Sequence, residues 1–106
     1  MHSFSLPDPV LPQIVPFDFG SEEIFSLDTV SASCTVSKGD VPVDIYWLFN
    51  NRRVVSNDGV LITRQTQRTS FLTIESVRDR HSGNYSCVAE NRAGAVTHTT
   101  TLFVNG

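Results

Sequence analysis

The sequence has little positive charge and no long apolar run. Its 106 residues include 8 lysines and arginines against 11 acidic residues, so its net charge is −3. Proteins that bind nucleic acids or anionic lipid surfaces present basic patches, and this charge balance argues against both as partners. No stretch approaches the roughly 18 consecutive apolar residues that cross a bilayer, so the sequence predicts no membrane-spanning segment.

The sequence also lacks a set of side chains suited to catalysis or metal binding. His2 lies near the N-terminus, and no serine, cysteine or acidic residue is placed to form a nucleophile–base pair with His81 or His98. No cluster has the spacing of zinc ligands, and no Asp-x-Asp-x-Asp loop indicates a calcium site. The sequence therefore predicts no enzymatic activity, no cofactor, no metal site and no small-molecule substrate.

The two cysteines and the single tryptophan carry the fold signal. Cys34 and Cys87 are 53 positions apart, Trp47 lies between them, and Tyr85 stands two residues before the second cysteine. Among short alternating strands, Cys…Trp…Tyr-x-Cys is typical of the immunoglobulin β-sandwich. In that fold a disulfide joins the two sheets, the tryptophan packs on it, and the tyrosine hydroxyl bonds nearby backbone. Closing this loop would stabilise the domain by roughly 4 kcal/mol on the chain-entropy estimate.

A disulfide of this kind indicates an oxidising compartment, although a cytosolic domain with two reduced thiols stays open. Residues 1–10 have no basic start and no apolar run, so they do not resemble a signal peptide. We therefore expect one extracellular domain cut from a longer chain, or one whose export signal has been removed. Residues 1–11, with Pro7 and Pro9, would be a flexible lead-in or a cloning remnant, and residues 12–105 the domain.

Alternation of apolar and polar residues predicts an all-β sandwich of short strands. The predicted strands are A at 12–16 with a second edge strand near 17–19, B at 30–36, C at 43–49, C′ at 52–55, D from 60, E at 69–76, F at 84–90 and G at 96–104. Cys34, Trp47 and Leu72 fix the inward faces of strands B, C and E, and residues 91–94 form a tight hairpin before the last strand.

The pattern resembles the I-set immunoglobulin domains of cell-adhesion proteins over roughly residues 12–105. The motifs that carry it are Leu72-Thr73-Ile74, Gly83-x-Tyr85-x-Cys87 and Asn91-x-x-Gly94. Longer segments are similar to the variable seventh immunoglobulin domain of arthropod Dscam (Down syndrome cell adhesion molecule) proteins, and to the equivalent first domain of the shortened Dscams of chelicerates. These segments are PQIVPFDFG at 12–20, VSASCTV at 30–36, SNDGVLIT at 56–63 and IESV at 74–77.

One corner departs from the I-set pattern. I-set domains usually carry an aspartate six residues before the second cysteine, paired with a basic residue at the start of strand D. Here His81 and Gly59 hold these positions, and a histidine there also fits the Dscam resemblance. Both partners of the usual ion pair are missing. This should destabilise the fold less than the loss of one partner, which would leave the other charge without its counter-ion. We therefore do not expect electrostatics to lock this corner.

The outer face of the predicted A-B-E-D sheet is low in charge and has two exposed apolar side chains, Leu61 and Phe71. A one-residue slip of strand D would exchange Leu61 for Val60 and Ile62. A two-fold contact brings such a patch onto its own equivalent, where like charges would repel, and here there are few. The other predicted members of this self-binding face are Ser31, Ser33, Thr63, Gln65, Thr69, Thr73 and Glu75.

The Dscam resemblance implies homophilic, isoform-specific binding at the cell surface, with the domain pairing antiparallel with its own kind. The parent chain alone would supply membrane attachment. Two alternatives stay open: a heterophilic ligand-binding domain that uses the C-F-G sheet, and a purely structural module of an intracellular filament. The side chains expected to face outward on the C-F-G sheet are Asp44, Tyr46, Leu48, Val88 and Glu90.

An N-glycosylation acceptor is present in Asn84-Tyr85-Ser86. Because Tyr85 should be buried, alternation along the strand predicts that Asn84 faces solvent. A glycan on Asn84 is therefore a possible modification of an extracellular domain.

Overall fold

The computed structural model describes residues 7–106, and residues 1–6 of the expected lead-in lie outside the described part. Within it, no helix is long and apolar enough to span a membrane. A 3₁₀ turn covers Asp79–His81. The ten strands of this part are β1 (Gln13–Ile14), β2 (Ile24–Phe25), β3 (Val30–Lys38), β4 (Asp44–Phe49), β5 (Arg52–Val54), β6 (Val60–Thr66), β7 (Thr69–Ile74), β8 (Gly83–Asn91), β9 (Gly94–Leu102) and β10 (Val104–Asn105).

The strands form a two-sheet sandwich. One sheet has the order β1-β3-β7-β6, which corresponds to A-B-E-D, and the other has the order β5-β4-β8-β9, which corresponds to C′-C-F-G. Neighbouring strands within both sheets are antiparallel, whereas β2 and β10 form a short parallel pair. The predicted all-β immunoglobulin sandwich is confirmed.

The core lies between the sheets and is organised around the disulfide. Cys34 on β3 and Cys87 on β8 are bonded, with their Cα atoms 6.3 Å apart. Successive residues of β3 alternate between buried and outward positions, because side chains of a strand point to opposite faces. Trp47 and Leu72 are buried beside the disulfide in one core cluster. The Trp47 indole nitrogen donates to the hydroxyl of buried Ser70 at 3.0 Å.

Tyr85 ties strand β8 to the turn that precedes it. Its hydroxyl donates to the carbonyl oxygen of His81 at 2.7 Å. The ring is buried and packs against Phe19 and Phe49, with centroid distances of 5.3 and 4.7 Å. Burial raises the pKa of Tyr85 to about 12, because the low-dielectric surroundings disfavour the phenolate.

The second edge strand lies farther along the chain than the sequence predicts. It is β2, paired with β10, and not the segment near residues 17–19. The amide nitrogen and carbonyl oxygen of Phe17 instead lie 3.2 and 2.7 Å from Nε2 of His98. The Phe17 ring packs on Trp47 at 5.4 Å, so side chains rather than a strand partner hold this segment. Strand E is also shorter than predicted and ends at Ile74.

Contacts with the sandwich begin at Val10, two residues before the predicted boundary. The Val10 amide donates to an Asp40 carboxylate oxygen, and the Asp40 amide donates to the Val10 carbonyl, both at 3.1 Å. The Asn91 side chain also donates to that carbonyl at 2.7 Å. Gly39 makes this approach possible, since its φ is +116° and a Cβ there would lie 2.6 Å from the Cα of Pro12.

Candidate interaction surface

The outward side of the β1-β3-β7-β6 sheet is built from rows of side chains that lie directly opposite one another. One row is Ser31, Thr73 and Leu61, and the next is Ser33, Phe71 and Thr63. In an antiparallel sheet such neighbours have Cβ atoms about 4.5–5.5 Å apart and act as one surface. A third row continues it with Thr35 and Thr69. We call this surface the ABED face: Ser31, Ser33, Thr35, Leu61, Thr63, Thr69, Phe71 and Thr73.

The ABED face is uncharged and has a small apolar centre. The side chain of Leu61 is 53% exposed. Phe71 is only half-buried rather than exposed as predicted, because Ser33 and Thr63 lie on either side of its ring. The Ser31 and Thr73 hydroxyls lie 3.2 Å apart and bond each other. Such a surface can lose its water on binding without leaving a buried charge unpaired.

The register of strand D decides which apolar side chains reach this face. Val60 and Ile62 pack against the core, so Leu61 and Thr63 point outward. The register shifts between Arg64 and Thr66, and exposed Gln65 therefore lies at an irregularity beside the regular rows. Glu75 is exposed just past the end of β7. Gln65 and Glu75, both predicted members of the face, thus lie at its border.

Arg64 follows Thr63 on β6 and lies on the inner side of the sheet, opposite buried Ser70. Arg64 donates to the carbonyl oxygens of Val43 and Thr66, both at 2.8 Å. Val43 precedes the first strand of the opposite sheet, β4, so the guanidinium wraps around the edge of the sandwich. Alternation along β6 already places Arg64 on the side opposite to Leu61 and Thr63, and these hydrogen bonds fix its guanidinium at the edge of the sandwich.

Val15 extends the apolar part of the face and was not among the predicted residues. Its amide donates to the carbonyl oxygen of Thr35 at 2.9 Å, which continues the pairing of β1 with β3. Ile14 packs against the core, so exposed Val15 points to the outer side beside Thr35. The alternation around Ile14 is the sequence signal that could have found it.

The outer side of the C-F-G sheet is less apolar than the sequence predicts. Val88, which is predicted to present an apolar side chain there, is only 5% exposed. It lies on a central strand between Tyr46 on β4 and Thr97 on β9. Tyr46 is itself half-buried, with the Arg53 guanidinium carbon 4.4 Å from its ring centroid. The sheet therefore covers its own apolar centre.

Other residues of the C-F-G sheet also make its outer side less suitable for an apolar contact. Leu48 is half-buried, and exposed Asp44 lies directly opposite exposed Glu90, which places two like charges side by side.

Asn84 is exposed on the same sheet and accepts a hydrogen bond at Oδ1 from Thr101 at 2.7 Å. Its Nδ2 atom, which would carry a glycan, donates no hydrogen bond within residues 7–106.

The corner at His81 contains an ion pair where the sequence predicts none. Arg80 donates two hydrogen bonds to the Asp58 carboxylate, both 3.0 Å long. This contact holds the pKa of Asp58 below its usual value. His81 is buried, and its Nδ1 accepts the Arg78 amide at 2.9 Å while its Nε2 lies 3.2 Å from the Asp58 carbonyl oxygen. The acid now lies two residues before β6, which is strand D, and the base immediately precedes His81, the reverse of the usual order.

Comparison with known proteins identifies the family. The family model described as immunoglobulin domain matches residues 12–91. A crystal structure of the Dscam1 Ig7 domain, isoform 9, superposes with a TM-score of 0.86 at 40% identity, covering 90% of this chain and 100% of that one. The chain is an immunoglobulin domain of the Dscam family. The predicted resemblance is therefore confirmed.

The Dscam relatives are much longer than this chain. Cell adhesion molecule Dscam1 of Drosophila melanogaster is 40% identical over 97 residues, which are 91% of this chain but 5% of that protein. The structure of the N-terminal eight Ig domains of DSCAM isoform 1.30.30 matches with a TM-score of 0.84 and 36% identity, over 91% of this chain and 12% of that one. The relatives are cell adhesion molecules, and this Dscam-family domain is not an enzyme.

Proposed function

We propose that this domain is the extracellular recognition domain of a cell-surface adhesion protein, and that it binds a second copy of itself through the ABED face. The two copies would lie antiparallel about a two-fold axis. The observation that carries the proposal is the uncharged pair of rows centred on Leu61 and Phe71. Kinship with Dscam adhesion molecules supports an adhesive role for the parent protein.

A two-fold axis through the face would place one set of rows on its own copy. In an isologous contact each charged group near the axis meets a like charge, and the ABED face has none to repel. Full burial of a leucine side chain contributes about 1.5–3 kcal/mol, and Leu61, which is 53% exposed, can still gain about half of that on binding. The hydroxyls of Ser33, Thr63 and Thr73 can exchange water for hydrogen bonds across the contact.

Specificity would follow from the side chains that the rigid sheet presents. The fold is set by the buried positions, so outward positions such as Thr63 and Thr73 can vary between isoforms without loss of the sandwich. A copy with the same face fits itself, whereas a bulkier or charged side chain on one partner leaves a clash or an unpaired charge. The domain would therefore discriminate between isoforms by mismatch as well as by fit.

The C-F-G sheet is the alternative surface and would serve a heterophilic ligand. Half-buried Tyr46 and Leu48 favour it, whereas buried Val88 and the Asp44–Glu90 pair weaken it. We further propose that Asn84 carries a glycan in the native protein. A glycan there would stand over the C-F-G sheet and leave the ABED face free.

Sedimentation equilibrium over a wide concentration range, with matched variants, tests the proposal. The wild-type domain should show a concentration-dependent dimer, and Leu61→Glu and Phe71→Asp should abolish it. Thr97→Glu changes an exposed residue of the opposite sheet and should leave the dimer intact. Because Phe71 is half-buried, Leu61→Glu is the safer variant for the fold. If only Thr97→Glu loses the dimer, the contact lies on the C-F-G sheet. A wild-type domain that stays monomeric at all concentrations would favour the heterophilic function.

A further inference from the structure

The sandwich is open on the side where β5 meets β6. These two strands are edge strands, and they belong to different sheets. β5 ends at Val54 and β6 begins at Val60, and residues 55–59 cross the gap between the sheets without forming a strand. A cavity of about 280 Å³ lies there. We call it the side cavity.

The inner wall of the side cavity is apolar. Phe49, Val54 and Val60 line it, and all three are partly buried and pack against the core. The buried ring of Tyr85 lines it as well. Its volume is near the lower end of the roughly 300–1,000 Å³ that is typical of ligand pockets. The side cavity therefore suits one or two side chains or a small molecule, and it is too small to seat a folded domain.

Arg52 stands at the mouth of the side cavity, on the inner side of β5. It lies directly opposite Phe49, and residues paired across two strands project from the same side of the sheet. Since Phe49 packs against the core, the exposed side chain of Arg52 runs along apolar surface to the opening. Arg53 lies opposite Leu48, and its guanidinium carbon is 4.4 Å from the Tyr46 ring centroid on the outer side.

Arg52 has no acidic partner within residues 7–106. The ion pairs in this part of the chain are Arg80–Asp58 and Arg92–Asp40. Arg80 and Asp58 also line the side cavity, where two hydrogen bonds pair them with each other. Asp58 is the one acid among the lining residues, which include three arginines. The side cavity therefore carries an excess of positive charge, although the net charge of the protein is −3.

Hydrogen-bonded turns frame the mouth of the side cavity. Asn50 and Asn51 form the turn before β5, and both have the positive φ expected in a tight hairpin. The Asn50 amide donates to the Asn84 carbonyl oxygen at 2.8 Å, and the Asn84 amide donates to the Asn50 side-chain oxygen at 2.9 Å. On the other side, the Arg80–Asp58 pair joins two turns. A ligand would therefore not have to order a loop in order to bind.

Charge and shape together specify the ligand. One unpaired guanidinium matches one carboxylate, which it can bind through two parallel hydrogen bonds. The apolar wall beside it matches one large apolar side chain. A sulfated sugar fits less well, because it carries several charges and presents little apolar surface.

We propose that the side cavity binds a peptide segment of a partner protein, in which one large apolar side chain stands next to a carboxylate. The apolar side chain would enter the cavity, and Arg52 would bind the carboxylate at its mouth. The residues of the ABED face do not line the side cavity, so the peptide and a second copy of the domain can bind at the same time.

Three dipeptides test the two halves of this ligand: acetyl-Phe-Asp-amide, acetyl-Phe-Asn-amide and acetyl-Ala-Asp-amide. Each is titrated into the isotope-labelled domain, and binding is followed by the chemical shifts of the backbone amides. The first dipeptide should bind in the millimolar range and shift the amides of Val54, Val55 and Asp58. The other two lack the charge or the ring, and each should bind about tenfold more weakly.

Arg52→Gln should weaken the binding of acetyl-Phe-Asp-amide about tenfold and leave that of acetyl-Phe-Asn-amide unchanged. Arg53→Gln is the matched control, because it removes the same charge from the outer side of β5. It should change the affinity by less than about twofold, since salt screens a charge that the ligand does not contact. Circular dichroism checks that both variants fold.

Several results would overturn the proposal. One is the absence of shifts at the side cavity with acetyl-Phe-Asp-amide, and another is an equal affinity for acetyl-Phe-Asn-amide. Equal losses in Arg52→Gln and Arg53→Gln would also contradict it. A sulfated disaccharide that shifts the cavity amides when the dipeptide does not would assign the site to a glycan instead. Self-association should be the same in Arg52→Gln as in the wild-type domain, and its loss would contradict the separation of the two sites.

Discussion

Arg80 donates two hydrogen bonds of 3.0 Å to the carboxylate of Asp58, and this pair joins the turn before β8 to the turn before β6. The usual I-set pair places the acid and the base in the opposite order. Both side chains are exposed, so the pair adds little to stability on its own. Buried His81 strengthens the same corner through the backbone of Asp58 and Arg78.

The Arg80–Asp58 contact predicts a measurable titration effect. In Arg80→Gln, the pKa of Asp58 should rise towards its ordinary value, because the guanidinium no longer stabilises the carboxylate. The pair stabilises the folded state when Asp58 is ionised, and this contribution is lost as the pH falls through the lowered pKa. Carboxyl chemical shifts measured against pH check it. Arg78→Gln is the control and should leave the Asp58 titration unchanged.

Tyr85 predicts a loss of stability at alkaline pH. Its pKa is raised to about 12 in the folded state against about 10 for an exposed tyrosine. The stabilisation linked to this shift is fully present below pH 10 and is lost as the pH rises through 12. Denaturant unfolding between pH 9 and 12 checks it. Tyr85→Phe should remove this part of the pH dependence, and at neutral pH it should cost about 1 kcal/mol for the lost hydroxyl bond to His81.

The Trp47–Ser70 hydrogen bond predicts a large effect from a small substitution. Ser70→Ala would leave the buried indole N–H without its partner, which should lower the free energy of unfolding by about 1–3 kcal/mol. Urea unfolding measures it. Ser31→Ala removes a hydroxyl from the exposed side of β3 and should change the same quantity by no more than about 0.5 kcal/mol. Equal losses in the two variants would contradict the assigned role of Ser70.

Two glycines with positive φ allow the destabilisation caused by backbone strain to be measured apart from that caused by a steric clash. At Gly59, where φ is +79°, an added Cβ meets nothing within 4 Å, so Gly59→Ala should cost only the strain, about 1–3 kcal/mol. At Gly39 the added Cβ would also lie 2.6 Å from backbone of Pro12. Gly39→Ala should therefore be the more damaging of the two in thermal unfolding, and the reverse order would refute the described packing of the N-terminal segment.

The sequence predicts best the elements that carry a residue with a fixed place in the core. Cys34 and Trp47 anchor β3 and β4, and because side chains alternate along a strand, each anchor fixes the inward face of its whole strand. The disulfide with Cys87 and the two-sheet architecture follow from the same residues. The outward direction of Leu61 likewise follows from alternation along β6.

The features that the sequence does not predict depend on neighbours from distant parts of the chain. β2 forms at Ile24–Phe25 because β10 pairs with it there. Val88 is buried because Tyr46 and Thr97 flank it on adjacent strands. The guanidinium of Arg64 lies at the sheet edge because the carbonyl oxygens of Val43 and Thr66 bind it there. No local pattern encodes these contacts, which exist only once the sheets have assembled.

The most direct test of the self-binding face is a mixing experiment with opposite charges at its centre. Leu61→Lys and Leu61→Glu should each sediment as monomers, since two like charges would face each other across a two-fold contact. An equimolar mixture should form a heterodimer, because each lysine then meets a glutamate. If the wild-type domain dimerises, two results would contradict self-recognition through the ABED face. One is that each variant also dimerises alone, and the other is that their mixture stays monomeric.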